Sequence, residues 1–136
     1  MLNKAQRAEL LAAARKAQSN AYAPYSNYHV GAALLTSSGS VYLGSNVENA
    51  AYPASICAER VAVFKAVSEG HRDFQAIAVL TRDGGTPCGS CRQVLAEFAP
   101  NALVLIANQA GEVVRESTVA DLLPGAFGPG NLKTTL

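Results

Sequence analysis

Apolar residues at helical spacing open the chain. Residues 4–18 are rich in residues that favour helical backbone, and the apolar residues among them that follow helical spacing are Leu10, Ala13, Ala14 and Ala17. The pattern predicts a first helix, and the helix should end before Pro24 because proline disfavours helical backbone in the residue that precedes it.

Several later segments have the apolar patterns of β-strands. HVGAALLT at 29–36 and VYLGSNV at 41–47 flank the turn-forming sequence SSG, which predicts a β-hairpin. AIAVLTR at 76–82 is almost continuously apolar, as in a strand that is covered on both faces. ALVLIA at 102–107 and EVVRE at 112–116 predict two more strands, which brings the expected sheet to five strands.

Helices are predicted between and after these strands. Ser55 is a candidate N-cap for a helix through CAERVAVFKAVSE, which Gly70 would end. Thr86 is a candidate N-cap for a helix through CGSCRQVLAEF. Thr118 and Asp121 are similar to a capping box and predict a short final helix. Because strands and helices alternate after residue 50, the order favours a mixed sheet covered by helices in an α/β sandwich.

Length and charge limit the class of protein. The 136 residues fit a single domain, residues 1–136, with its own hydrophobic core. No apolar run approaches the roughly 20 residues of a membrane-spanning helix, and the N-terminal segment lacks the pattern of a secretory signal. We therefore expect a soluble, cytoplasmic protein with no membrane partner. The formal net charge of +1 gives no broad positive field for nucleic acid, so the predicted partner is a small molecule.

The three cysteines of the chain fall in two short segments. SICAER at 55–60 contains Cys57, and TPCGSCR at 86–92 contains Cys88 and Cys91. An odd number of cysteines in a reducing compartment argues against a disulfide framework and favours metal binding or catalysis. All three are predicted to lie in the first turns of helices, where their sulfurs would converge. Three thiolates would leave the fourth position of a tetrahedral zinc ion for water, as in catalytic sites.

Charged residues next to the cysteines extend this hypothesis. Glu59 follows Cys57 by two residues, and its carboxylate is expected to take a proton from the activated water. Three thiolates and one zinc ion carry a formal charge of −1. Arg60 or Arg92 could offset this charge by donating hydrogen bonds to the sulfurs.

Two interpretations from other classes stay open on the residues alone. A zinc-stabilised structural module would need a saturated metal site and would unfold on chelation, but it leaves Glu59 unexplained. A thiol redox protein would need Cys88 and Cys91 to cycle as a disulfide without a metal.

The cysteine pattern resembles a known family. C-A-E followed by P-C-x-x-C is similar to the signature of zinc nucleobase deaminases in its three-cysteine variant. More narrowly, the chain resembles the small homotetrameric cytidine deaminases. The segments that carry the resemblance are YAPYSNYHVGAALLTSSG at 22–39, GSNVENAAYPASICAER at 44–60, TPCGSCRQVLAEF at 86–98 and LLPGAFGP at 122–129.

The resemblance implies a fold and an activity. The fold would be a three-layer α/β/α sandwich with a mixed five-stranded sheet, with one zinc ion per subunit and a homotetramer whose active sites are shared between subunits. The activity would be hydrolytic deamination of cytidine and deoxycytidine to uridine and deoxyuridine, with release of ammonia, in pyrimidine nucleoside salvage.

Residue by residue, the resemblance implies that Cys57, Cys88 and Cys91 bind zinc, that Glu59 shuttles the proton and that Arg60 balances the charge. The residues that would contact the nucleoside are Asn46 and Glu48 at the ribose hydroxyls, Tyr28 beside the nucleoside, Ala58 with its backbone facing the base, and Tyr52 and Phe127 from neighbouring subunits. The chain departs from the family at two positions. Tyr28 stands where phenylalanine is common, and His29 where proline or a small residue is common.

Related deaminases with other substrates are the nearest alternatives. A blasticidin S deaminase is not expected to carry the N-x-E sequence of Asn46 and Glu48. A deaminase that edits polynucleotides would need a basic groove for the strand, and the near-zero net charge and the short chain argue against such a groove.

Overall fold

Five strands and five α-helices form within residues 2–132, which a computed structural model describes; Met1 and residues 133–136 of the predicted domain lie outside this range. The elements are α1 (Lys4–Gln18), β1 (Gly31–Thr36), β2 (Val41–Ser45), a 3-10 helix (Tyr52–Ala54), α2 (Ala58–Ser68), β3 (Phe74–Leu80), α3 (Gly89–Phe98), β4 (Leu103–Ala107), β5 (Val113–Thr118), α4 (Val119–Leu122) and α5 (Pro129–Leu132). None of the helices in the described range combines the length and the apolar character needed to cross a membrane.

The strands form one mixed sheet in the order β2-β1-β3-β4-β5. The predicted hairpin is confirmed: β1 and β2 pair antiparallel, from Gly31 opposite Ser45 to Leu35 opposite Val41. β3 and β4 run parallel, with α3 in the connection between them, and the remaining neighbours are antiparallel. The parallel pair places the ends of β3 and β4, and the loops that follow them, at the same edge of the sheet.

Helices cover both faces of the sheet. Alternate residues of β1 point to opposite sides, so that Ala33 and Leu35 pack with α1, whereas Ala32 and Leu34 pack on the side of α2 and α3. This arrangement confirms the predicted three-layer α/β/α sandwich. The near-continuous apolar sequence of β3 follows from it, because both faces of this central strand are buried.

The N-caps predicted for α2 and α3, Ser55 and Thr86, are both wrong. α2 begins at Ala58 and α3 at Gly89, so that Cys57 and Cys88 are the N-cap residues and do not lie in the first turns. The Ser55 hydroxyl instead accepts a hydrogen bond from the Asn49 amide, at 3.0 Å. The Thr86 hydroxyl accepts one from an arginine side chain, at 3.0 Å. The predicted cap at Thr118 is confirmed, since its hydroxyl accepts from the Asp121 amide.

Close packing between β2 and α2 fixes where α2 starts. An added Cβ at Gly44 would lie 2.1 Å from the Ala58 carbonyl oxygen and 2.6 Å from the Ala62 nitrogen. The strand and the first turn of the helix are therefore in direct backbone contact, which only glycine permits at this position. This contact sets the position of the residues around Cys57.

Candidate active site

The three cysteine thiols meet where α2 and α3 begin. The Sγ atoms of Cys57 and Cys88 are 3.8 Å apart, and those of Cys88 and Cys91 are 3.4 Å apart. All three sulfurs lie within 4.8 Å of one another, although Cys57 is 31 residues from Cys88 in the chain. The N-cap positions of Cys57 and Cys88 place both thiols at the positive ends of α2 and α3.

The geometry of this cluster fits a zinc ion. With Zn–S bonds of about 2.3 Å, the sulfurs of a tetrahedral site lie about 3.8 Å apart. The observed distances of 3.4 and 3.8 Å are close to this value, and thiolates are among the ligands that zinc prefers. Three ligands leave one position open. The three thiols thus form a site for one zinc ion per chain, and the open fourth position would suit a water molecule, as in catalytic zinc centres.

The thiols affect one another's ionisation. A hydrogen bond with Cys91, and further ones with Arg60 and Cys88, lower the pKa of Cys57 to about 5, although burial acts in the opposite direction. The pKa of Cys91 is raised, first by its hydrogen bond with Cys57 and then by burial. Adjacent thiolates repel each other, so a divalent cation is needed for all three to be ionised together.

Arg60 faces this cluster. Its Nη2 lies 3.5 Å from the Cys57 sulfur, and the hydrogen bond raises the pKa of the guanidinium. The expected contact of Arg92 with a sulfur is not found. Arg92 donates instead to the carbonyl oxygens of Pro87, at 2.7 Å, and Leu122, at 2.8 Å. Of the two arginines, Arg60 is therefore the one that contacts a thiol, and Arg92 holds the loop before Cys88.

Glu59 is the second residue of α2 and is 5% exposed. Burial raises the pKa of its carboxyl group to about 7, and the negative charge of Cys57 adds to the effect. A group that titrates near neutral pH can accept a proton in one step and donate it in the next.

A cavity of about 410 Å³ opens above the thiols. The predicted site residues in its wall are Tyr28, Asn46, Glu48, Cys57, Glu59, Arg60 and Cys88. Cys91 is buried beside them in the thiol cluster. The sequence analysis missed further wall residues, among them Ser26, Val30, Thr81, Gly85 and Thr86. Ser26 and Val30 flank Tyr28 in the chain, and Thr86 opens the TPCGSCR segment, but no sequence motif indicated the loop from Thr81 to Gly85.

Asn46 and Glu48 follow β2 and bind the segment that contains Tyr28. The Asn46 amide accepts from the Val30 nitrogen at 2.9 Å and donates to the Tyr28 carbonyl oxygen at 2.8 Å. The Glu48 carboxylate accepts from the hydroxyl and backbone nitrogen of Ser26, and the hydroxyl bond lowers its pKa. These bonds fix both polar side chains in the cavity wall and keep Glu48 ionised at neutral pH.

Three predicted substrate contacts lie outside this wall. The side chain of Ala58 is fully buried. Tyr52 and Phe127 are 71% and 57% exposed on the surface. Tyr52 packs edge-on against Tyr25, with ring centroids 5.8 Å apart.

Comparisons with known proteins agree with this site. The family model for the cytidine and deoxycytidylate deaminase zinc-binding region matches residues 4–107. A cytidine deaminase from Sporosarcina psychrophila is 50% identical over 127 residues, which cover 91% of this chain and 93% of that protein. A blasticidin-S deaminase from Bacillus cereus is 32% identical over 107 residues, or 71% of this chain and 75% of that protein.

The fold agrees as well. The crystal structure of cytidine deaminase from Burkholderia pseudomallei superposes with a TM-score of 0.85 at 48% identity, and the match covers 88% of this chain and 98% of that chain. Because the family model covers most of the chain and includes the cluster of Cys57, Cys88 and Cys91, the chain belongs to the zinc-dependent cytidine and deoxycytidylate deaminase family.

Proposed function

We propose that the protein deaminates cytidine and deoxycytidine by hydrolysis, giving uridine and deoxyuridine with release of ammonia, in pyrimidine nucleoside salvage. One observation carries this proposal: the thiol cluster and the buried carboxyl group of Glu59 adjoin a cavity whose wall also presents Asn46 and Glu48. The thiols and Glu59 are suited to activating water, and Asn46 and Glu48 are suited to binding a sugar.

Glu59 is the residue that moves protons. Zinc, when bound by the three thiolates, supplies the Lewis acid that makes a water molecule a nucleophile at neutral pH. The Glu59 carboxylate accepts one proton from this water and donates it to N3 of the pyrimidine, which makes C4 more electrophilic. After oxygen has bonded to C4, Glu59 transfers the second proton of the water to the amino group. The C4–N bond then breaks and ammonia leaves.

Arg60 supports this proton transfer through its contact with the Cys57 thiol. A net negative centre would weaken the acidity of the bound water, and the guanidinium 3.5 Å from the Cys57 sulfur withdraws part of that charge. Arg60 thus acts through Cys57.

Asn46 and Glu48 would bind the ribose. An amide and a carboxylate together offer a donor and acceptors, which match the two hydroxyl groups of a sugar diol. Tyr28 would lie beside the nucleoside, and the backbone of Ala58, at the start of α2, would face the base. Because Asn46 and Glu48 are already held by Val30 and Ser26, little side-chain ordering remains for binding.

We further propose a homotetramer in the cytoplasm, with Tyr52 and Phe127 completing active sites of neighbouring subunits. The exposure of both aromatic rings supports this proposal, since large exposed apolar groups often mark interfaces. A reducing compartment would keep the three thiols available for zinc. Light scattering of the purified protein should give four times the mass of the chain, and the mass of a single chain would refute the shared sites.

The substrate is tested by ultraviolet absorbance. Zinc-loaded protein is mixed in parallel with cytidine, deoxycytidine and blasticidin S, and we expect turnover of the two nucleosides. Deamination of blasticidin S without turnover of cytidine would reject the proposed substrate and assign the activity of the Bacillus cereus relative.

A further inference from the structure

The loop between β3 and α3, residues 81–87, forms one wall of the cavity. Thr81, Gly85 and Thr86 line the cavity, and the loop leads directly to Cys88. Separate sets of contacts hold its two halves.

Arg92 holds the half next to Cys88. Its Nε donates to the Pro87 carbonyl oxygen at 2.7 Å, and its Nη2 donates to the Thr86 hydroxyl at 3.0 Å. These bonds fix the end of the loop from within α3. The position of Cys88 is thus secured without help from the other half of the loop.

Tyr28 holds the half nearer β3, although it lies more than 50 residues earlier in the chain. Its hydroxyl donates to the Asp83 carboxylate at 2.6 Å. The Arg82 guanidinium lies over its ring, 5.1 Å from the centroid, which is a cation–π distance. An added Cβ at Gly85 would lie 2.8 Å from the Tyr28 hydroxyl, so the loop passes close to the ring at this point.

The hydrogen bond between Tyr28 and Asp83 is charge-assisted. It lowers the pKa of the Asp83 carboxyl group, which is thus ionised at neutral pH. Hydrogen bonds to ionised groups are shorter and stronger than those between neutral groups, as the 2.6 Å distance illustrates. Phenylalanine at position 28 would provide the same ring in the cavity wall but could not hold the loop in this way.

We infer that the hydrogen bond between Tyr28 and Asp83 positions the loop wall of the substrate cavity and thereby sets the affinity for the nucleoside. Asp83 is a positioning residue that acts through Tyr28, and the contact is independent of the zinc ligands and of Glu59. The inference rests on the proposed function, because it concerns binding of the same nucleoside.

The test compares kinetics and zinc content in four variants. Asp83→Ala and Tyr28→Phe each remove the hydrogen bond, the double variant removes both partners, and Asp83→Asn keeps an oxygen that can accept. Asp73→Ala is the matched control, since Asp73 is also exposed but lies at the opposite end of β3.

Tyr28→Phe should raise KM for cytidine roughly fivefold, the loss expected for one hydrogen bond. Asp83→Ala should raise it at least as much, because it also removes the 3.3 Å hydrogen bond from the Thr81 hydroxyl. The kcat value should stay within about twofold of the wild type, because the reacting groups are not touched. The KM of the double variant should be no higher than that of the more affected single variant. Asp83→Asn should recover most of the affinity for cytidine. Every variant should keep one zinc ion per chain.

Either of two kinetic results would overturn the inference. One is a KM for Asp83→Ala equal to that of wild type and of Asp73→Ala, and the other is additive effects of Tyr28→Phe and Asp83→Ala on KM. Loss of zinc from the folded Asp83→Ala variant would also contradict it. If Asp83→Ala does not fold, the KM of Tyr28→Phe tests the inference instead, because this substitution deletes a single oxygen atom. A wild-type protein without cytidine deaminase activity would refute the proposed function. An active wild type together with an unchanged KM in Asp83→Ala would refute this inference alone.

Discussion

Replacing Gly44 with alanine places a methyl group against the backbone of α2. The new Cβ would lie 2.1 Å from the Ala58 carbonyl oxygen, and real Cβ contacts essentially never fall below 3.0 Å. The neighbouring atoms belong to the backbone of a helix, which cannot rotate away as a flexible side chain would. The start of α2 must therefore move away from β2 by about 0.9 Å or more.

This displacement has a cost in stability and a larger one in activity. Overpacking a well-packed contact typically costs about 1–3 kcal/mol. For a domain of this size, the melting temperature falls by about 3.5 °C for each kcal/mol, so we expect a decrease of about 4–10 °C. Cys57 caps α2 and Glu59 is its second residue, so both reactive groups move with the helix. Misplacement by about 1 Å can reduce turnover about 100-fold.

Calorimetry and cytidine kinetics measure both effects in the same preparations. Gly130→Ala is the control, because an added Cβ there meets no atom within 4 Å and its backbone is not in the left-handed region. If Gly44→Ala had the melting temperature and the kcat/KM of Gly130→Ala, the contact between β2 and α2 would not set the position of the site.

Three further substitutions test the metal centre and the sugar contacts. Cys88→Ala removes one of three ligands, and elemental analysis should find zinc well below one ion per chain; an unchanged zinc content would contradict the ligand assignment. Arg60→Gln should lower activity about ten- to hundredfold at saturating zinc, because the charge on Cys57 is no longer offset, and wild-type rates would refute this role. Asn46→Ala should raise KM for cytidine about tenfold or more, since it removes a sugar contact and the bonds to the Tyr28–Val30 segment. A changed kcat with an unchanged KM would argue against sugar binding.

Much of the fold could be predicted from local patterns. The strand and helix segments follow from apolar periodicity, because a buried face must recur every second residue in a strand and every three to four in a helix. The predicted caps failed at Ser55 and Thr86 for a tertiary reason. Their hydroxyls bind Asn49 and Arg92, and the cap positions are taken by the cysteines that meet at the two helix ends.

The reactive centre was more predictable than the cavity around it. Two short motifs specify the three thiols, Glu59 and Arg60, since each ligand lies close to a helix start. The loop wall depends on contacts between distant segments, such as the bond between Tyr28 and Asp83 over 55 residues and that between Arg92 and Leu122 over 30. No local pattern encodes such contacts, because each joins groups from segments that are distant in the chain.

The role of Glu59 is the central claim of the mechanism. The most direct measurement compares zinc-loaded wild type with Glu59→Gln, which keeps the size of the side chain and removes its ability to carry a proton. We expect Glu59→Gln to bind one zinc ion per chain and to lose cytidine turnover by a factor of about 100 to 10,000, the contribution of a general acid–base. A variant that retains zinc and most of the wild-type rate would show that another group moves the proton, and the mechanism would be wrong.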